Sequence, residues 1–220
     1  MTNKAKVTIL LADDHRLFRD GLHRLLDTCD GMQVIAETSD GSETVTAALE
    51  KKPDIVLMDI TMPVLNGIDA ARRIVQDSPK IKVIILSMHS DRRFVLEAFR
   101  AGALGYLLKD CAFDELTKAI RTVAENQVYL DGSIAKIVVK DFISQSVDKP
   151  DSVFAMLSVR EREVLQQMAE GRSTKEIALH LNISAKTVET HRKQIMDKLN
   201  IHNIAQLTKY AIREGLTGLE

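Results

Sequence analysis

Short apolar runs alternate with amphipathic stretches along the first half of the chain. The runs fall at residues 7–12, 33–38, 55–59, 82–87 and 105–108 and are rich in Val, Ile and Leu. Runs this short and this uniformly apolar suit strands buried on both faces. The stretches between them, 15–27, 43–51, 68–76, 92–101 and 113–125, carry apolar residues at helical spacing. In the first of these, Leu17, Phe18, Leu22, Leu25 and Leu26 are expected to form one stripe. Five strand–helix pairs in succession predict an α/β domain, a five-stranded doubly wound parallel sheet with helices on both faces.

The pattern changes after residue 125. Residues 134–143 predict a short helix with Ile134, Ile137, Val138 and Phe142 on one face. Residues 144–151 are polar, include Pro150 and read as a linker. From Phe154 onward there is no strand signal. Ser158 with Glu161 and Ser173 with Glu176 have the spacing of capping boxes, and Ser184 can cap a third helix. Gly171 and Asn182 end the first two helices, and a fourth runs over 204–214 to Gly215. The expected organisation is an α/β domain at 1–125, a linker with a short helix at 126–152, and an all-α domain of four helices at 153–220.

Composition narrows the class. The chain has 220 residues, 45% of them apolar and 28% charged, as in ordinary globular domains. No apolar run approaches the roughly 18 residues of a membrane helix, and no secretory h-region is evident, so a cytoplasmic protein without membrane partners is expected. Cys29 and Cys111 have no partner motif, which argues against a disulfide framework or a zinc site. The 30 Lys/Arg against 31 Asp/Glu leave a net charge of −1, which by itself discourages nucleic-acid binding.

Ligands of doubly wound sheets sit beyond the carboxyl ends of the strands. Those ends carry Asp13-Asp14, Asp59, Ser87 and Lys109. Crowded carboxylates repel unless a cation is present, and they are the hard oxygen ligands that Mg²⁺ selects. A nearby lysine and hydroxyl suit phosphoryl oxygens. Together with a carboxylate nucleophile these groups compose a site for phosphoryl transfer onto an aspartate. One Asp-Asp pair is ordinarily a loop start, and one lysine is ordinarily solvated surface. Four positions in the right order are what carry the reading.

Residues 7–125 resemble the flavodoxin-like receiver domain of two-component response regulators. The resemblance rests on Ala12-Asp13-Asp14-His15, on the run from Met58-Asp59 through Thr61-Met62-Pro63 to Asn66-Gly67, on Ser87-Met88-His89, on Gly102-Ala103, and on Tyr106-Leu107-Leu108-Lys109. It implies Asp59 as phosphoacceptor, charged by a phosphohistidine of a sensor histidine kinase. Mg²⁺ (or Mn²⁺) would be held by Asp14 and Asp59, by Asp13 through water, and by the Thr61 backbone carbonyl. Ser87 and Lys109 would bind the phosphoryl group, Tyr106 would be the aromatic switch, and Thr61 and His89 would tune the phosphoryl lifetime. Ser87 stands where Thr is common, Met88 where a small residue is common, and Asp110 where Pro is frequent.

The helices at 174–181 and 185–199, joined by a short turn, have helix-turn-helix spacing. At ~100° per residue, Val188, Ile195 and Leu199 line an inner stripe with His191 and Arg192 beside it. Lys186, Thr190, Lys193 and Asp197 face outward, with Glu189 and Gln194 at the edges. Such a face suits base edges and phosphates of a major groove. Leu157-Ser158, Arg160-Glu161, Glu163-Val164-Leu165, Glu170-Gly171, Thr174 to Ala178, Ile183-Ser184, Lys186 to Val188, His191 and Lys198-Leu199 resemble the LuxR-type DNA-binding domain. Receiver plus this module resembles the NarL/FixJ class of bacterial response regulators. The resemblance implies double-stranded DNA, a homodimer and RNA polymerase as partners, and no enzymatic turnover beyond self-phosphorylation and autodephosphorylation. Thr174, Lys186, Thr187, Glu189, Thr190, Arg192, Lys193 and Lys198 are the expected DNA contacts. Ile204, Leu207, Thr208 and Ala211 of the last helix are the expected DNA-bound dimer contacts.

Two rivals are weaker. Aspartate-nucleophile phosphatases of the haloacid-dehalogenase type need Asp-x-Asp after the first strand, and here the run is Asp13-Asp14-His15. A receiver that is never phosphorylated would be expected to lack part of the acidic set. The charge balance also divides unevenly: residues 1–150 hold 20 Lys/Arg against 22 Asp/Glu, and residues 151–220 hold 10 against 9. The positive charge of the second domain is local to one helix, so weak non-specific affinity and a need for dimerisation are expected.

Overall fold

The structure, a computed structural model, describes residues 6–144 and 153–218. The stretch 145–152, most of the expected linker, and the side chain of Phe142 lie outside the described residues.

The strands are β1 (Val7–Ala12), β2 (Met32–Thr38), β3 (Ile55–Asp59), β4 (Lys82–Ser87), β5 (Gly105–Leu108) and β6 (Tyr129–Leu130), in the order β2-β1-β3-β4-β5-β6. All pairings are parallel. The pleat sends alternate residues to opposite faces. Leu10, Val56, Met58, Val83 and Ile85 pack with α2 (Gly41–Lys51), α3 (Gly67–Asp77) and α4 (Arg92–Arg100). Ile9, Leu11, Ile55, Leu57, Ile84 and Leu86 pack with α1 (Arg16–Asp27) and α5 (Phe113–Ala124). Burial on both faces explains why each run reads as continuously apolar.

Three details differ from the expectations. A sixth strand, β6, extends the sheet through Gly105↔Tyr129 pairing; two residues are too few to leave a periodic signal. The short helix expected at 134–143 forms, but it belongs to the first domain's core rather than standing free in the linker. The helix α6 (Gly132–Ser144) packs on the α4 side of the sheet through Ile134, which is fully buried. On α1 only Leu22 and Leu26 are buried, while Leu17 is 88% and Leu25 48% exposed, so the apolar stripe is narrower than its composition.

The C-terminal domain contains α7 (Val153–Met156), α8 (Val159–Ala169), α9 (Thr174–His180), α10 (Ala185–Leu199) and α11 (Ile204–Arg213). The single turn α7 is one helix more than the four expected; with four residues it shows no helical period. Both capping boxes form, Ser158 with Glu161 and Ser173 with Glu176. Ser184 accepts from the Thr187 N–H, and Asn203 caps α11 through the Gln206 N–H. Val164, Leu165, Ile177, Val188, Ile195, Leu207 and Ala211 close one core between the helices.

Candidate phosphorylation site and nucleic-acid interface

The strand order reverses between β1 and β3, the point where doubly wound sheets bind ligands. Ala12 is level with Met58, so Asp13 emerges beside Asp59; Asp59 is level with Leu86 and Ser87 with Leu108. Register alone therefore brings Asp13, Asp59, Ser87 and Lys109 to one patch. Lys109 Nζ lies 2.7 Å from Asp13 Oδ2 and 2.8 Å from Asp59 Oδ2. The ammonium also stands 5.0 Å from the centre of the Phe18 ring. All three charged side chains are at most 7% exposed, so their mutual attraction is poorly screened.

Burial pushes the Asp59 carboxyl up to about 6, opposed by the Lys109 charge and assisted by Asp13. Burial alone would pull Lys109 down, but Asp59 and Asp13 outweigh it and hold the ammonium above its ordinary value. Asp59 Oδ1 accepts from the Ile60 N–H at 2.7 Å. Gly67 comes so close that a Cβ there would stand 1.8 Å from the Asp59 carbonyl oxygen. Only glycine lets α3 begin directly behind β3.

Asp13, Asp14, His15 and Asp59 each present one ligand atom, all within 4.8 Å of one another. Asp14 Oδ1 makes no hydrogen bond and has the His15 imidazole 2.7 Å away, a place where a cation would supply the missing charge. The cluster can therefore hold a metal ion. It opens into a cavity of about 510 Å³ lined by Asp14, His15, Thr61, Met62 and Pro63 and, from the second domain, by Glu170, Arg172 and Gly218. Thr61 thus stands at the site's rim. Ser87 is fully buried, and its Oγ accepts from the His89 N–H at 3.0 Å. Tyr106 is also fully buried, and its hydroxyl donates to the His89 carbonyl at 2.6 Å. Burial raises the Tyr106 phenol, so it stays protonated. The His89 ring lies on Phe94 of α4, with centroids 4.7 Å apart. It is placed toward α4 rather than bonded to Asp59.

On α10, Val188 and Ile195 are buried against Ile177 and Ala178, with Leu181 and Leu199 partly buried beside them. Lys186, Glu189, Thr190, Lys193, Gln194 and Asp197 are exposed. The other expected contacts sit less freely. Thr174 donates to Glu189 at 2.8 Å, and the Thr187 hydroxyl bonds Ser184 at 2.8 Å. Arg192 is half-buried. Lys198 Nζ is 2.7 Å from Glu161, tying the end of α10 to the capping box of α8. On α11, Ile204 is 48% exposed and Thr208 partly so, but Leu207 and Ala211 are buried in the domain's own core. Those two face inward, which corrects the expected assignment of that helix's faces.

Sequence reasoning missed the contact between the domains. Three residues spaced four apart, Arg162 and Gln166 on α8 and Glu170 at its C-cap, grip the loop that follows Asp59 and the first turn of α3. Arg162 Nε donates to Asp69 Oδ2 at 2.9 Å, and its Nη2 to Asp69 Oδ1. Gln166 accepts from the Asn66 N–H at 2.9 Å and donates to the Met62 carbonyl at 2.9 Å. Glu170 accepts from the Val64 N–H at 3.1 Å. Val64 has φ +69°, strained for a β-branched residue. Its neighbours close a tight turn, the Leu65 N–H donating to the Pro63 carbonyl at 2.7 Å. A second contact ties Arg93 of α4 to Glu214 at 3.0 Å, and Gly215 packs on the Phe94 ring. The spacing of Arg162, Gln166 and Glu170 was the available signal, but it reads equally as a solvated helix face.

Comparison with known proteins defines the class. Residues 9–121 match the family described as response regulator receiver domain, and residues 155–211 match the LuxR family of bacterial regulatory proteins. A chain with this pair of domains is a two-component response regulator that binds DNA to regulate transcription. It belongs to the NarL/FixJ class of that family. The chain is 37% identical to the response regulator UvrY of Escherichia coli K12, over 97% of each chain. It is 36% identical to the oxygen regulatory protein NreC of Staphylococcus carnosus, over 94% of this chain and 98% of that one. It also resembles the response regulator RcsB solved in complex with DNA, at 25% identity and TM-score 0.59, over 95% of this chain and 98% of that one. Among the described residues no helix is long and apolar enough to cross a membrane.

Proposed function

We propose that Asp59 is the phosphoacceptor and that its phosphorylation by a sensor histidine kinase controls DNA binding. An Asp59 oxygen attacks phosphorus, the donor's N–P bond breaks, and the imidazole leaves. Asp13, Asp14, Asp59 and the Thr61 carbonyl would hold Mg²⁺ or Mn²⁺, which when bound supplies positive charge for the transferring group. Lys109 and Ser87 would take phosphoryl oxygens, with Tyr106 following Ser87 through His89, and Thr61 and His89 setting lifetime. The observation that carries this reading is Lys109 bridging Asp13 and Asp59 at the point where the strand order reverses. Labelling with acetyl phosphate and Mg²⁺ tests it: wild type gains one phosphoryl group and Asp59→Asn gains none. Equal labelling of the two would overturn it.

We further infer how the signal reaches DNA. The outer face of α10 is already exposed while the α8 grip is closed, so uncovering that helix is not the step that phosphorylation must accomplish. The reading favoured is release of the loop after Asp59 from α8, freeing two C-terminal domains to pair on a two-fold site. Ile204 and Thr208 on α11 are the dimer contacts this leaves. Lys186, Glu189, Thr190 and Lys193 would face base edges and phosphates, with Thr174, Thr187, Arg192 and Lys198 at the periphery. Cytoplasmic location and contact with RNA polymerase follow from the same reading. Sedimentation with DNA decides it: phosphorylated protein sediments as a dimer on DNA, and a monomeric complex in both states would contradict the pairing step.

A further inference from the structure

We propose that His15 is a nitrogen ligand of the receiver's metal site, adapting it to divalent transition ions such as Mn²⁺ and Co²⁺ as well as Mg²⁺. The inference rests on the metal reading above. His15 occupies the N-cap of α1, where Ser, Thr, Asp or Asn would satisfy the helix's first N–H groups. Its side chain makes no capping hydrogen bond, so capping does not account for an imidazole there. The ring is instead turned to the acidic cluster. His15 Nδ1 lies 2.7 Å from Asp14 Oδ1 and 3.4 Å from Asp13 Oδ1, and within 4.8 Å of the Asp59 ligand atom. Adjacent ligands on one octahedral ion with bonds of about 2.1 Å stand about 3.0 Å apart, and these two separations bracket that value. With the imidazole protonated this contact is an ion pair; a bound cation would take the proton's place between the two ligand atoms.

The chemistry then sets a selectivity. Mg²⁺ gains little from an imidazole, whereas nitrogen ligands favour ions later in the divalent series. Opposite the cluster, the Lys109 ammonium already engages Asp13 Oδ2 and Asp59 Oδ2, which leaves the Asp14 and His15 side facing the cavity as the side an ion enters.

The test uses the full chain loaded with Mn²⁺ or Co²⁺, comparing wild type, His15→Ala and Asp14→Asn by pulsed electron paramagnetic resonance and calorimetry. Wild type is expected to show an imidazole ¹⁴N coupling to Mn²⁺ that His15→Ala lacks. His15→Ala is expected to lose about tenfold in Co²⁺ affinity while Mg²⁺ affinity changes by less than about twofold. Circular dichroism confirms folding, which the missing cap bond predicts is retained. Mn²⁺ bound in an Asp14-dependent way without nitrogen coupling would overturn the role of His15 and leave the metal site standing. Failure of wild type to bind any of these ions would overturn the metal reading itself.

Discussion

The proposed phosphoryl site and the proposed DNA-reading helix stand in opposite physical states. At the strand ends Asp13 and Asp59 are nearly inaccessible, each bonded to the equally buried Lys109 and fixed by register. On α10 Lys186, Thr190 and Lys193 stand exposed, ordered by a helix whose other face is buried. Chemistry on a phosphoryl group needs preorganised charge, which water would screen. Reading DNA needs accessible charge, which gains by displacing counterions from phosphates. Substitutions in the first region should therefore act as a unit, and those in the second as separate increments. Between the two lies a third kind of contact, the α8 grip, built from buried charges that belong to neither chemistry.

The sharpest break of this picture is at the grip. Asp69→Ala leaves the fully buried Arg162 beside an apolar position, and loss of one partner of a buried pair costs about 3–5 kcal/mol. Thermal unfolding should then lose its coupling between the domains, with the C-terminal domain melting separately. One unchanged transition would mean that the domains are not joined through Asp69.

A smaller effect comes from pH. In metal-free protein Asp59 titrates near 6, above its ordinary 3.8, so the folded state holds the proton more tightly than the unfolded state. Stability from this group is greatest below pH 3.8 and declines as pH rises through 6, by about 3 kcal/mol. Asp59→Asn removes that decline, and added Mg²⁺ shifts the titration downward. Carboxyl-carbon NMR reads both, and a midpoint near 4 without metal would contradict the buried environment.

The smallest effect is on α10. Lys193→Ala should weaken binding to every DNA sequence by about 1 kcal/mol and lower the salt slope by about 1. Anisotropy titrations over a salt series measure this, and a change confined to one base position would move Lys193 from phosphate to base contact.

The receiver was legible because its strands are buried on both faces and its acidic and basic residues follow them. Four of the five expected strands match in full, and β2 gains only Met32. The second domain was legible through its caps, since Ser158, Ser173 and Ser184 mark helix starts chemically. Packing between elements was not legible. Leu17 and Leu22 look alike in sequence, yet only Leu22 meets the sheet. Leu207 and Ala211 share a face with no mark telling a dimer surface from a core. Arg162, Gln166 and Glu170 look like solvated residues because their partners, Asp69 and the loop from Met62 to Asn66, lie about a hundred residues away in sequence. The set of residues at the acidic cluster was found from the strand ends. The place of His15 within it emerged only from distances.

The most direct test of the account is DNA affinity, by anisotropy on a two-fold operator, for wild type and Asp59→Asn with and without acetyl phosphate and Mg²⁺. Wild type is predicted to bind about tenfold or more tightly once phosphorylated, a coupling of about 1.4 kcal/mol, and Asp59→Asn to show no change. Equal affinity of wild type in both states would contradict it.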